Sequence, residues 1–294
     1  MILILMLLVS FNTIADELVI KKTKEEYTDL LSKKYSLIPH KGTYLLPFLY
    51  TEFPNNDVYK PFSDDLKDGD NRGKFNKHLE AEMQVSFLIL LNEKLLNSNF
   101  DLFFGFTQRS WWQVYNDSWS RPFRETNYEP EVFVRNVLDS PYILPFGAKL
   151  LLYDIGIVHQ SNGQIQELSR SWNRVFIRMG LMLGDLGARI SLWQRIPEKR
   201  TLDDNPDVYK YLGYGEIDFA YTKENFQSKL RIIPGIEKQG AELSLSLPWK
   251  EGLRFYTKMG YGYGLSLIDY NYNNSKIGFG FTLTDPLIEA KQSK

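Results

Sequence analysis

His159, Ser161 and Asn173 are the residues of this chain whose types and spacing could do covalent chemistry; they lie in the stretch YDIGIVHQSNGQIQELSRSWNRVFIRM, from Tyr153 to Met179. An imidazole beside a hydroxyl is the minimum for an activated serine nucleophile, and a third group must then hold the ring. On an extended chain residues i and i+2 share a face with Cβ atoms roughly 7 Å apart, a gap that leaning side chains can close. Asn173 is available if its strand pairs with the first, and its carbonyl would accept the Nδ1–H and fix the tautomer. Asn offers less stabilisation to an imidazolium than a carboxylate would. Taken alone, H-x-S is short and common, and it equally describes two polar groups ending a strand at headgroup level.

The elements that must position these groups alternate with period two. Tyr153, Ile155, Ile157, His159 and Ser161 share one parity, while Asn173 falls in step with Val175, Ile177, Met179, Leu181 and Leu183. The same alternation recurs in NFDLFFGFTQRSWW, where Leu102, Phe104 and Phe106 lead to Gln108 and Phe103 breaks the opposite polar row. AELSLSLPW, LRFYTKMGYGY and KIGFGFTL repeat it, with Glu242, Ser244, Lys258, Gly278 and Thr282 on the polar side. Counting such segments predicts about twelve strands between Tyr44 and Asp285. A transmembrane barrel turns its apolar face to lipid and its polar face inward, whereas a soluble sandwich buries the apolar face against a second sheet. Trp111, Trp112, Trp249, Tyr261 and Tyr263, near strand ends, suit an interfacial girdle.

The bulk numbers agree. A net charge of −1 over 294 residues provides no field for nucleic acid, and zero cysteines exclude a thiol nucleophile and a disulfide framework. Aromatic content of 15% is high for a soluble domain. The opening MILILMLLVSFNTIA reads as a secretory signal over residues 1–15, although its first residues carry no Lys or Arg. Residues 16–41 read as a charged periplasmic lead-in without chemistry, with a short amphipathic helix in KKTKEEYTDLLSKKYSL, and 42–294 as a single barrel. Past the signal no apolar run approaches the roughly 18–20 residues of a spanning helix.

Several blocks in order carry a family resemblance. HQSNGQIQELSRSWNR is similar to the active-site segment of outer-membrane phospholipase A, H-x-S-N-G followed by S-R-S-W-N-R. TQRSWWQ, SRPFRETNYEP (with Arg121 a substitution), DDNPD with KYLGY, and GYGLSLIDYNYN resemble further blocks of that family, covering Tyr44 to Asp285. The resemblance implies an all-β, twelve-stranded antiparallel barrel in the outer membrane of Gram-negative bacteria. It implies a calcium-dependent hydrolase of phospholipid and lysophospholipid acyl esters, with A1, A2 and lysophospholipase activity, acting as a homodimer. Ser161 would be the nucleophile, His159 the general base and then acid, and Asn173 the orienting residue. Backbone N–H groups of Ser161 and Gly163 would face the oxyanion. One Ca²⁺ per active site would lie at the dimer interface, held by the carbonyl of Gln164 (where the family often has Arg), the hydroxyl of Ser169, and Ser120 from the other subunit. Gln108 matches a position that hydrogen-bonds across the dimer.

Other polar features read more plainly. His40 and His78 read as solvated surface. DGDNRG, Asp68 to Gly73, fails the EF-hand template, with Arg72 fifth and Leu79 twelfth. LDDNPD, with Asp203, Asp204 and Asp207, reads as a turn. After the last strand the chain runs into PLIEAKQSK and lacks the aromatic end common in barrel chains. A non-catalytic porin-like or scaffold barrel, and a secreted sandwich, are the competing readings; neither needs His159, Ser161 and Asn173 on one lipid-facing row.

Overall fold

A computed structural model describes residues 36–62, 75–199, 201 and 203–283. The expected signal, most of the lead-in, the DGDNRG loop and the PLIEAKQSK tail lie outside these residues. Twelve antiparallel strands form the wall. They are β1 (Tyr44–Thr51), β2 (Leu79–Asn92), β3 (Asp101–Trp112), β4 (Phe123–Ile143), β5 (Lys149–Ser161) and β6 (Ser171–Leu183). The second half comprises β7 (Leu186–Arg195), β8 (Gly215–Lys223), β9 (Phe226–Ile233), β10 (Gly240–Lys250), β11 (Leu253–Gly262) and β12 (Asn274–Leu283). Each pairs with its neighbours in sequence, and β12 pairs back onto β1, with Lys276 opposite Thr51 and Thr282 opposite Tyr44. The sheet therefore has no free edge, and the sandwich reading is excluded. No helix among the described residues is long and apolar enough to cross a membrane; a closed barrel satisfies its backbone polar groups within the wall instead.

Closure depends on an irregularity at Pro47, which has no N–H to give a ladder. The register of β1 slips against both neighbours there, between Leu46 and Leu49 on one side and between Phe279 and Phe281 on the other. Parity inverts across the bulge: Tyr44 and Leu46 are buried before it, Leu49 and Thr51 after it. Gly280 sits against the bulge, where an added Cβ would lie 2.0 Å from the Leu45 carbonyl oxygen.

The two faces separate as the alternation requires. Ile155, Ile157, Val175, Ile177, Leu247, Phe255 and Phe279 are exposed on the outside. Inside, charges pair across strands. Lys258 Nζ lies 2.8 Å from Glu82 and 2.9 Å from Glu242, and Arg124 Nε lies 2.9 Å from Glu80. Arg178 bridges Glu131 at 2.7 Å and Asp154 at 3.3 Å. Desolvation offsets much of the attraction in such buried pairs.

Two expectations fail inside the barrel. His40 is buried, not solvated: Ile38–Pro39 adds a short strand to β2 opposite Leu88 and Phe87, and His40 Nε2 hydrogen-bonds Glu131. Ile38 packs on Leu88, Phe103, Phe133, Val158 and Phe176. Phe103, the exception in its polar row, thus belongs to an apolar patch that seats the end of the lead-in. Trp111 is no girdle residue either; it points inward, fully buried, with its indole N–H 3.0 Å from Glu82 and Arg109 stacked 4.6 Å over its ring. Trp249 and Tyr261 do face outward and are exposed, and His78 is exposed as expected.

The two ends of the barrel differ. Short turns join the strands at one end, as at Gly184–Asp185 and Glu251–Gly252, and long loops lie at the other, among them 113–122, 162–170 and 263–273. Long loops mark the extracellular end of outer-membrane barrels. The 263–273 loop folds back into the mouth: Leu267 and Ile268 are buried, and their N–H groups donate to Asn127 Oδ1 and Glu125 Oε1, each at 3.0 Å.

Candidate active site

β5 and β6 place His159 directly opposite Asn173, and Ser161 opposite Ser171. All four follow the outward parity of Ile155, Ile157, Val175 and Ile177, at the long-loop ends of their strands. His159, Ser161 and Asn173 are half-buried. His159 Nδ1 lies 2.9 Å from Asn173 Oδ1. That contact requires the tautomer with the proton on Nδ1, which makes Nε2 the lone-pair nitrogen of a ring that shares its strand face with Ser161. A neutral imidazole so oriented can take a proton from a hydroxyl two residues away on its own face.

The inward residues of the same strands stiffen this wall. Gln160 Oε1 accepts from the Trp172 indole at 2.8 Å and from Arg174 at 3.1 Å, while Arg174 stacks 3.9 Å over the Trp172 ring. Trp172 in turn packs with Val208, Leu212, Ile233, Leu267 and Tyr270 beneath the loops.

The 162–170 loop is closed by Asn162, which is fully inside. Its Oδ1 accepts the N–H groups of Gln164 at 3.3 Å and Arg170 at 2.9 Å, and its amide donates to the Leu168 carbonyl at 2.8 Å and to Glu125 at 3.2 Å. Gly163 follows with φ +63°, a left-handed conformation that glycine adopts without strain, and Tyr128 lies over it. Among the described residues the Gly163 N–H has no acceptor, so it is free to serve an oxyanion.

DDNPD turns as expected and also acts as a brace. Asp204 accepts from the hydroxyls of Ser169 at 2.6 Å and Ser171 at 3.3 Å, Asn205 accepts the Ser171 N–H at 3.0 Å, and Asp207 accepts from Tyr270. The 162–170 loop carries Ser169, bonded to Asp204, and the exposed Gln164; their hydroxyl, carboxylate and carbonyl oxygens are the donor chemistry of a hard divalent cation. No three His, Asp or Glu side chains cluster as a metal site among the described residues. Ser120 stands exposed on the 113–122 loop at the same end, with φ 54°. Gln108 is outward and half-buried, its amide donating to Ser110 at 3.3 Å along its own strand. Ladder register puts Gln108, Tyr128, Ser161 and Ser171 in one row across β3 to β6.

An edgeless barrel with an apolar outer belt is the architecture of an outer-membrane β-barrel, and Ser, His and Asn on that belt beside the long loops are the residue types of a hydrolase. Comparison with known proteins is specific. A family model described as Phospholipase A1 matches residues 20–283. A putative phospholipase A1 of Neisseria meningitidis serogroup B is 38% identical over 253 residues, spanning 84% of this chain and 65% of that protein. The chain therefore spans just under two thirds of that relative's length. The structure of Escherichia coli outer membrane phospholipase A carrying an alanine in place of an active-site asparagine superposes with TM-score 0.78 at 31% identity, covering 91% of this chain and 97% of that one. A Salmonella typhi outer membrane phospholipase, solved as a dimer with bound calcium, gives 0.78 at 32%, covering 88% and 96%. The chain belongs to the phospholipase A1 family.

Sequence reasoning missed Asn162, Gln160 and the brace of Asp204 and Asn205. The signal that could have found the brace was the density of short hydrogen-bonding side chains in LDDNPD.

Proposed function

We propose that the protein is a calcium-dependent serine hydrolase of membrane phospholipids and lysophospholipids, cleaving acyl esters at either glycerol position. The observation that carries this reading is the 2.9 Å contact between His159 Nδ1 and Asn173 Oδ1 on the lipid-facing wall, beside Ser161. An asparagine in the active site of the E. coli structure supports the role of Asn173. A lipid ester at the outer boundary of the membrane meets Ser161 from the side, so no pocket through the barrel is needed.

In the reaction His159 Nε2 takes the Ser161 proton as Oγ attacks the ester carbonyl, and Asn173 Oδ1 holds the imidazolium through Nδ1–H. The N–H groups of Ser161 and Gly163 receive the developing oxyanion, a contribution of preset dipoles that commonly outweighs others in acyl transfer. His159 then returns the proton to the departing glycerol oxygen, and water attacks the acyl-Ser161 ester by the reverse route. The residues fit a calcium ion held by the Gln164 carbonyl, the Ser169 hydroxyl and Ser120 of a second copy, with Asp204 adding negative charge; a bound ion would strengthen the electrophilic field at the oxyanion. The bound calcium and dimeric state of the S. typhi structure support that arrangement. One ion per site, completed only by a partner, makes activity depend on dimerisation and keeps a lone subunit silent.

Phospholipid hydrolysis in detergent micelles, with calcium or chelator, is the direct test. Wild type should be active only with calcium, and Ser161→Ala should be inactive under both conditions. Hydrolysis untouched by Ser161→Ala would sink the reading.

A further inference from the structure

Asn173 is held from both sides. Its Oδ1 faces His159, while its Nδ2 donates to Glu198 Oε1 at 3.0 Å, and its backbone carbonyl accepts the Ile196 N–H at 2.8 Å. The segment bearing Ile196 and Glu198 continues β7 and is anchored by Arg195, whose guanidinium bonds Asp203 and, at 3.0 Å, the Asn205 carbonyl.

We infer that Glu198 is a positioning residue of the proposed triad, completing a His159–Asn173–Glu198 chain; this rests on the hydrolase reading above. An ionised carboxylate only accepts hydrogen bonds. It can therefore meet the asparagine only through the NH₂ group, which forces the amide oxygen toward His159 and selects the Nδ1–H tautomer. A primary amide lacking such a partner could turn over and present NH₂ to the imidazole, and the Nε2 lone pair would then be lost to Ser161. Glu198 also places one negative charge behind the amide. Hydrogen bonds in series polarise each other, so the neutral Asn173 gains part of the imidazolium stabilisation that a carboxylate orienter would give directly. The proton remains on the imidazole throughout, and Glu198 takes none.

Two substitutions separate orientation from charge in the full-length, calcium-loaded protein in micelles. Glu198→Ala removes both, and should lower kcat about tenfold with KM little changed, the size of loss seen when the partner behind a site ligand is removed. Glu198→Gln keeps an acceptor but no charge. Its kcat should fall less, while the acid limb of the pH–rate profile moves to lower pH, because the imidazolium has lost a favourable charge. Glu198→Asp should restore part of the rate. In an Asn173→Ala background Glu198→Ala should cost nothing further, since its effect runs through Asn173. Wild-type kcat and pH limb in both single variants, or an equal loss in the Asn173→Ala background, would overturn the inference. Barrel integrity is read separately from heat-modified gel mobility, so a misfolded variant is recognised and Glu198→Gln then decides. If Ser161→Ala abolishes activity while Glu198 variants are neutral, only this inference falls; if Ser161→Ala is active, the hydrolase reading falls with it.

Discussion

Asn173 stands opposite His159 in the ladder between β5 and β6, with its Oδ1 2.9 Å from the imidazole Nδ1. Strand pairing puts the two side chains opposite each other on the outer face, because a slip of one residue would turn either of them into the barrel. Ser161→Ala and His159→Ala should each reduce hydrolysis by about 10⁶-fold, the scale for losing a nucleophile or its base. Asn173→Ala should cost less, about 10²–10⁴-fold, since the orienter only holds the ring. Initial rates on a soluble ester and on phospholipid micelles check the order.

The calcium arrangement makes a second demand. Ser169→Ala and Asp204→Asn should each shift the calcium concentration for half-maximal activity upward by about tenfold, with the rate at saturating calcium less affected. Ser169 would lose a ligand oxygen, and Asp204 the charge that lies 2.6 Å from it. Calcium titrations followed by hydrolysis and by tryptophan fluorescence check this.

Closure of the wall is testable at Gly280. A methyl there would meet the Leu45 carbonyl oxygen at 2.0 Å and Pro47 Cδ at 2.7 Å. Gly280→Ala should destabilise the barrel by about 1–3 kcal/mol or more through overpacking. Gly187→Ala is the control, because its Cβ would meet nothing closer than 3.6 Å. Urea unfolding in detergent should separate the two.

The period-two rows made the barrel legible, and the shared parity of His159 and Ser161 pointed to the candidate site. What stayed hidden depends on contacts between segments distant in sequence. Ile38 and His40 look like the end of a charged leader until Phe103, Phe133 and Phe176 are seen to make an apolar seat within a polar lumen. Trp111 has the composition of a girdle residue, but its indole N–H and the Glu82 carboxylate place it inside. Glu198 carries no signal of its own; only the continuation of β7 past Arg195 brings it to Asn173.

Acid should loosen the loop that closes the mouth. Asp269, buried in the 263–273 loop, bonds Arg124 at 2.8 Å, Asn55 at 3.0 Å and Ser266 at 3.0 Å. Burial alone would raise its pKa, but the Arg124 and Lys276 charges, with the Asn55 and Ser266 hydrogen bonds, outweigh burial and hold it below the usual carboxylate range. A folded pKa below the unfolded one contributes stability above the unfolded value, about 3.9, and loses it as pH falls through the folded value. Protease susceptibility or amide exchange of residues 263–273 should therefore rise below about pH 4. Asp269→Asn should open the loop at neutral pH and flatten the pH dependence.

Gln108 tests association. It shares a row with Tyr128 and Ser161, so a second copy seated on Gln108 would lie next to the nucleophile. A polar amide facing lipid is costly unless it finds a partner, and hydrogen bonds between membrane segments contribute about 0.6–2 kcal/mol. Gln108→Ala should therefore weaken dimerisation by about threefold to thirtyfold, the range those energies give per interaction. Sedimentation in detergent with calcium and a non-cleavable substrate analogue measures that directly. Activity should fall at low protein density in micelles and recover at high density. Persistent loss at saturating density would instead assign Gln108 to the site of one subunit, because mass action restores a weakened dimer but not a damaged active site.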